Sequence, residues 1–322
     1  MGFFRRPFVY AGLFTLCLLA FTTYVLLDTY YLAHPLADVI EPPASSATAA
    51  TTQTTGTQVT GQITTFSSES STAKATVVQT DDTYNDGQIA ITLCTLRVYD
   101  TTVYLADVQI ASADYLKTAL ARDTYGTNIT EKTSAIAANK QAILAVNGDY
   151  YGANSRGYVI KNGVLYRDSV RRDSAYGDLA VYADGSFAII QEEEQSAQEL
   201  LDSGVRQLFA FGPALVEDSH ICVSEGTEVG KAMSSNPRTA IGMVAPLHYI
   251  FAVSDGRTEE SEGLTLVQLA QVMQEAGCTL AYNLDGGGSS TLYFNGQVVN
   301  NPTTNGRTIS ERAVSDIVYI GI

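Results

Sequence analysis

The sequence predicts an α+β domain, strand-rich with mixed sheet and a few packed helices, preceded by one transmembrane helix and a disordered stalk. Three observations carry that expectation. A charge-free run opens the chain, a stretch that cannot form a core follows it, and from about residue 79 onward period-two strand patterns alternate with a few capped helices.

Residues 8 to 27, FVYAGLFTLCLLAFTTYVLL, contain no charge. At 1.5 Å per residue a helix of that length crosses roughly 30 Å of hydrocarbon. Arg5 and Arg6 precede the run and Asp28 follows it. Retained positive charge orients such a helix with its N-terminus inside, so residues 1–7 read as a cytoplasmic tail and 8–27 as a signal anchor. A cleaved signal peptide is the competing reading, and the length of the apolar run favours the uncleaved anchor. Residues 28–78 read as linker. Between Ala44 and Thr76, 23 of 33 residues are Ala, Ser or Thr, too little apolar surface to offset the entropy of ordering a backbone.

The remaining residues, 79–322, form the globular part. Residues 88–99 and 103–110 alternate as two strands around a turn at Asp100 to Thr102, and Ser112 can cap a helix through Ala121. Thr133 or Ser134 can cap a second helix through Lys140. The apolar run Ala142 to Val146 suits a buried strand. Asn162-Gly163, Asp184-Gly185 and Asn295-Gly296 mark three hairpins, and residues 238–253 read as a fourth turning at Ala245-Pro246. Residues 264–276 carry the best helix signal, with a Thr265/Gln268 capping box and Gly277 at the left-handed C-cap.

Composition removes several function classes. The part beyond the anchor holds 17 basic against 34 acidic residues, a net −17 that repels polyphosphate, so nucleic acid is not expected as a partner. Cys94, Cys222 and Cys278 lie far apart, allow at most one disulfide and offer no zinc spacing. His220 and His248 sit in no metal-binding or triad spacing, and no P-loop or Gly-x-Ser-x-Gly elbow occurs.

Chemistry is concentrated instead in a few short clusters. Asp285-Gly286-Gly287-Gly288-Ser289-Ser290 joins a strand to a hairpin, and three successive glycines strip every Cβ from the strand end. Backbone N–H groups can then converge on an anion, with the two serine hydroxyls as added donors and Asp285 as acid, base or metal ligand. A ligand-free turn would need only one or two glycines. Asn147-Gly148-Asp149-Tyr150-Tyr151-Gly152 ends a buried strand and offers amide, carboxylate and phenol groups suited to a sugar ring, against the plainer reading of a polar loop capped by core tyrosines. Arg238, in Asn236-Pro237-Arg238-Thr239, enters an apolar strand and either pairs with a buried carboxylate or binds an anionic substrate. Asp255-Gly256-Arg257 is turn chemistry or a further contact through Asp255 and Arg257, and Arg312 is a surface ion-pair residue or a ligand.

The order of these clusters is informative. NGDYYG (147–152), GYVIKNGVLYR (157–167), FGPALVEDS (211–219), NPRTAIG (236–242), DGR (255–257), NLDGGGSSTLYFNG (283–296) and ERAVSDIVYI (311–320) together resemble the phosphodiester glycosidase family. The resemblance spans about residues 80–322 and implies hydrolysis of sugars linked through a phosphodiester, in bacteria often with exopolysaccharide. Where family members commonly show Gly-Phe-Phe after the first Asn-Gly, Asp149-Tyr150-Tyr151 stand here. The chemistry suits the residues, because a phosphate monoester is a good leaving group and needs little general-acid help. One base or nucleophile then suffices, and binding negative charge becomes the second demand. Asp285 or Asp149 would supply the first; Arg238, the 286–288 amides and Ser289 or Ser290 the second. The expected ligand is a phosphorylated glycan or sugar phosphodiester. No cofactor is required, although Asp285 and Asp149 could hold calcium. A non-catalytic surface module binding anionic glycans through the same loop is the rival reading.

Overall fold

A computed structural model describes residues 7–36, 77–171, 176–227 and 235–322. The Ala/Ser/Thr-rich stretch 44–76 lies outside the described residues.

The apolar run forms a helix over Pro7–Tyr30, 24 residues, whose side chains from Tyr10 onward are almost all exposed. Residues just beyond it, expected as linker, pair with the domain instead: His34–Pro35 runs antiparallel to Gly126–Thr127. A nine-stranded sheet forms the larger layer of the domain. Its order is 220–221, 214–217, 280–283, 239–245, 248–254, 101–110, 89–98, 83–85, 78–79, with each neighbouring pair antiparallel. A five-stranded sheet in the order 297–298, 292–294, 144–147, 316–320, 116–120 packs against it. Alternation along each strand builds the core between the sheets. Ile91, Val108, Ile241, Tyr249 and Phe251 from one sheet meet Leu144, Val146, Leu292, Val318 and Ile320 from the other. The opposite face of the larger sheet carries Ala240, Ile250 and Ala252, covered by Leu266, Leu269, Ala270 and Met273 of the helix Leu266–Glu275.

Local sequence explains most of these elements. Thr265 and Gln268 close the capping box, and Gly277 takes φ +88° at the helix exit. The 89–98/101–110 hairpin turns through Tyr99 and Asp100 at φ 50° and 51°, and Asn295-Gly296 turns at 46° and 93°. One expectation is corrected. Ser112 caps only a single 3₁₀ turn, Ala113–Tyr115, and Leu116–Leu120 is a strand paired with Asp316–Ile320. Leu116, Thr118, Ala119 and Leu120 are all buried in that sheet, so tertiary pairing overrides a helix signal that rested on one cap.

Candidate active site

The two sheets deliver the candidate residues from neighbouring strand ends. Leu144–Asn147 and Leu280–Asn283 lie in different sheets, yet the loops that follow them are stitched together. Asn147 Nδ2 donates to the Asp285 carbonyl at 2.6 Å, and Asp285 N donates to the Gly148 carbonyl at 3.2 Å. The Asn147 Oδ1 in turn accepts from Thr239 Oγ1 at 2.8 Å and Thr291 N at 3.3 Å. Fully buried, Asn147 positions the loop from beneath rather than facing a ligand.

The triple glycine is explained by three different close approaches. A Cβ on Gly286 would sit 2.9 Å from the Pro237 carbonyl oxygen; one on Gly287, where φ is +62°, would sit 2.8 Å from Arg257 Nη2; one on Gly288 would overlap Thr304 Oγ1. Two of the three amides are already engaged, Gly286 N with Asp285 Oδ1 at 2.9 Å and Gly287 N with the Pro237 carbonyl at 2.8 Å. The loop therefore does not present all three N–H groups to one anion as expected. Its glycines let backbone and guanidinium groups crowd together.

What they crowd around is a cleft of about 180 Å³ lined by Phe211, Asn236, Arg238, Arg257, Asp285, Gly286, Gly287 and Arg312. Arg238 and the glycine bend thus share one face. Arg312 donates from Nη2 to both Asp285 oxygens, at 2.9 and 3.3 Å, and from Nε to Ser289 Oγ at 2.9 Å. Arg257 grips Asn236 Oδ1 from Nη2 at 2.8 Å and the Thr304 carbonyl from Nη1 at 2.7 Å. Arg238, only 3% exposed, donates from Nε to the Leu264 carbonyl at 2.9 Å. Burial pushes the Asp285 carboxyl above its ordinary value, against the opposing pull of Arg312, Ser289 and the Gly286 amide. Burial, and then the nearby Arg312, lowers the Arg257 guanidinium. A partly desolvated carboxylate beside three guanidinium groups is suited to activating water next to a bound anion. Other hollows are larger, about 690 Å³ beside Tyr176, Pro213 and Cys222 and about 250 Å³ beside Arg171, Asp178 and Glu192. The site is assigned to the smaller cleft because Asp285 and the three arginines converge there.

Several candidates lie outside that cleft. The Asp149 carboxylate is enclosed, accepting from Lys161 Nζ at 3.3 Å, Ala210 N at 3.0 Å and Tyr151 N at 3.2 Å. Lys161 also pairs with Asp316 at 2.8 Å, and all three side chains are at most 2% exposed. Asp255 is spent on Asn301, through its N at 2.8 Å and Nδ2 at 3.0 Å, and so shapes the loop after the glycine hairpin. Ser289 backs Arg312, Ser290 is fully buried, and Tyr150 projects to solvent at φ 67°. No group of three or more His, Cys, Asp or Glu side chains that could hold a metal ion occurs among the described residues. Asn236 and Phe211, inside the NPRTAIG and FGPALVEDS motifs, also line the cleft, although neither side chain carries a charge to mark it in the sequence. Sequence reasoning missed Lys161, whose signal was a lone charge in the apolar strand Val159–Lys161.

Fold and cleft together define a strand-rich α+β domain with one carboxylate set among arginines. The chain belongs to the phosphodiester glycosidase family, whose model matches residues 140–321. Among curated relatives it is 32% identical over 199 residues to the SPbeta prophage-derived uncharacterized protein YomE of Bacillus subtilis, covering 61% of this chain and 30% of that one. It is 30% identical over 176 residues to the human N-acetylglucosamine-1-phosphodiester alpha-N-acetylglucosaminidase, covering 50% and 33%. The chain thus spans about a third of the length of the curated relatives it matches. Among solved structures, the catalytic domain of the zebrafish N-acetylglucosamine-1-phosphodiester alpha-N-acetylglucosaminidase, auto-inhibited by its pro-peptide, shares the fold with a TM-score of 0.56 at 20% identity over 72% of this chain and 82% of that one.

Proposed function

We propose that the chain is an extracytoplasmic, membrane-tethered hydrolase that cleaves the glycosidic bond of a sugar-1-phosphodiester in cell-envelope or exopolysaccharide material. The observation that carries this reading is the shared opening of Asp285, Arg238, Arg257 and Arg312 into one cleft. In the reaction, water oxygen bonds to the anomeric carbon while the bond from that carbon to the phosphate oxygen breaks. The electron pair leaves with the phosphate monoester, and the water proton passes to Asp285. The guanidinium groups bind the phosphate and take up the charge it gains, so no second acid is required. Asp149, committed to Lys161, serves the framework in this scheme. The stretch Tyr10–Tyr30 of the N-terminal helix is long and apolar enough to cross a membrane.

Asp285→Asn tests the assignment. In the folded variant, release of free sugar from a panel of sugar-1-phosphodiesters should fall about a thousandfold or more. Full activity would remove Asp285 from the mechanism. Binding of phosphorylated glycans by the unsubstituted chain without release of any sugar would favour the non-catalytic module. The scheme uses no metal, so activity should survive titration with EDTA.

A further inference from the structure

The apolar helix does not hand over directly to a spacer. Beyond Tyr30 the chain turns back through hydrogen bonds from Tyr31 N and Leu32 N to the Leu27 carbonyl, both 2.8 Å, and His34 Nε2 contacts the Asp28 carbonyl at 3.0 Å. Then His34–Pro35 pairs with Gly126–Thr127, and Leu36 N donates to the Tyr125 carbonyl at 3.0 Å. Asn128 completes the contact: its Nδ2 donates to the carbonyls of Thr29 and Leu32, each at 3.1 Å. Gly126 is shaped for this approach, since a Cβ there would overlap the His34 carbonyl oxygen.

The docked edge is continuous with the interior. Tyr125 stacks on Tyr151 with ring centroids 5.5 Å apart, and Leu120 and Val159 complete their cluster. Gly152 packs against both the Gly126 carbonyl and Ser315, three residues from Arg312 of the cleft. On the helix side, Tyr30 and Tyr31 are 67% and 77% exposed, aromatic groups at the position where a spanning helix meets lipid headgroups.

We infer that residues 29–36 fasten the domain to the outer membrane surface, with the 125–128 edge as the docking face and the 29–36 segment of the same chain as its occupant. The separation of domain and bilayer is then set by these eight residues. This rests on the reading of Pro7–Tyr30 as a membrane span and is independent of catalysis.

Crosslinking in the full chain tests it. His34→Cys and Thr127→Cys are combined, a protease site is inserted near Thr55, and membranes are oxidised, cut and washed with carbonate. The single-cysteine chains control for Cys17, Cys94 and Cys222, which are exposed. The double variant should retain the cut domain on membranes until a reductant releases it, and the single variants should not. Adding Asn128→Gly keeps the positive φ, removes both amide bonds and should slow crosslinking about tenfold. Release of the domain from the oxidised double variant, as from the singles, would overturn the docking. Loss of the uncut chain to the carbonate wash would overturn the inference differently, by removing the span itself.

Discussion

In the proposed scheme Arg312 is the residue on which most of the cleft's chemistry turns. It fixes Asp285, backs Ser289 and faces Arg257, so its removal acts on both binding and protonation. Without the guanidinium, burial of Asp285 is opposed less, and its carboxyl rises further. In Arg312→Gln the acid limb of kcat/KM should therefore move to higher pH, while kcat/KM at neutral pH falls about a hundredfold, ~2.7 kcal/mol. An unmoved limb would show that Asp285 does not set it. Gly288 gives a second, purely steric prediction. Its missing Cβ makes room for Thr304 Oγ1, so Gly288→Ala should cost about 1–3 kcal/mol by denaturant unfolding, and Thr304→Ala, which removes that oxygen, should recover part of the loss. At this scale the sequence singled out Asp285 and its glycines by their unusual residue types, but not the close approaches that require the glycines. It was unreadable where role depends on a distant partner: nothing local says that Asp149 meets Lys161 while Arg312 meets Asp285.

Among the elements, the strand Val159–Lys161 carries a charge into the interior, where it holds two carboxylates from separate segments. Burial pushes the Lys161 ammonium down, and Asp149 and Asp316 outweigh it to leave the group raised. The Asp316 carboxylate also abuts Gly148, leaving no room for a Cβ there, and Gly148 in turn holds Asp285 N. Lys161→Met would strand both carboxylates and should destabilise the domain by about 3–5 kcal/mol in urea unfolding. A loss below ~1 kcal/mol would mean that neither acid depends on the ammonium. Elements with complete local signals, such as the Thr265 capping box or the Asn295-Gly296 turn, were legible. The strand Leu116–Leu120 was not, because its identity comes from Asp316–Ile320, almost two hundred residues further along the chain.

For the whole molecule, the same buried charges set how stability follows pH. Asp149, Lys161 and Asp316 place two carboxylates around one ammonium, and burial, then the competing Asp149, lifts Asp316 to about 6 against the opposing pull of Lys161. The unfolded chain releases that proton near pH ~3.9, whereas the folded domain keeps it until about 6. Between those values the native state binds more protons, so this group's contribution is fully present below the lower limit and is lost as pH rises to the upper one. Asp285 and Asp178, also raised by burial, add the same sign, so Asp316 carries part of the slope. Asp86 and Asp184 are lowered and oppose it, but both are near the surface, where solvent screens them. Thermal unfolding should therefore show a midpoint that declines from pH 4 toward 6, and Asp316→Asn, neutral throughout, should flatten that slope. A midpoint that climbs steadily across the window, or an unchanged slope in the variant, would show that the buried triad is fully ionised in the native domain and that Lys161 compensates both acids.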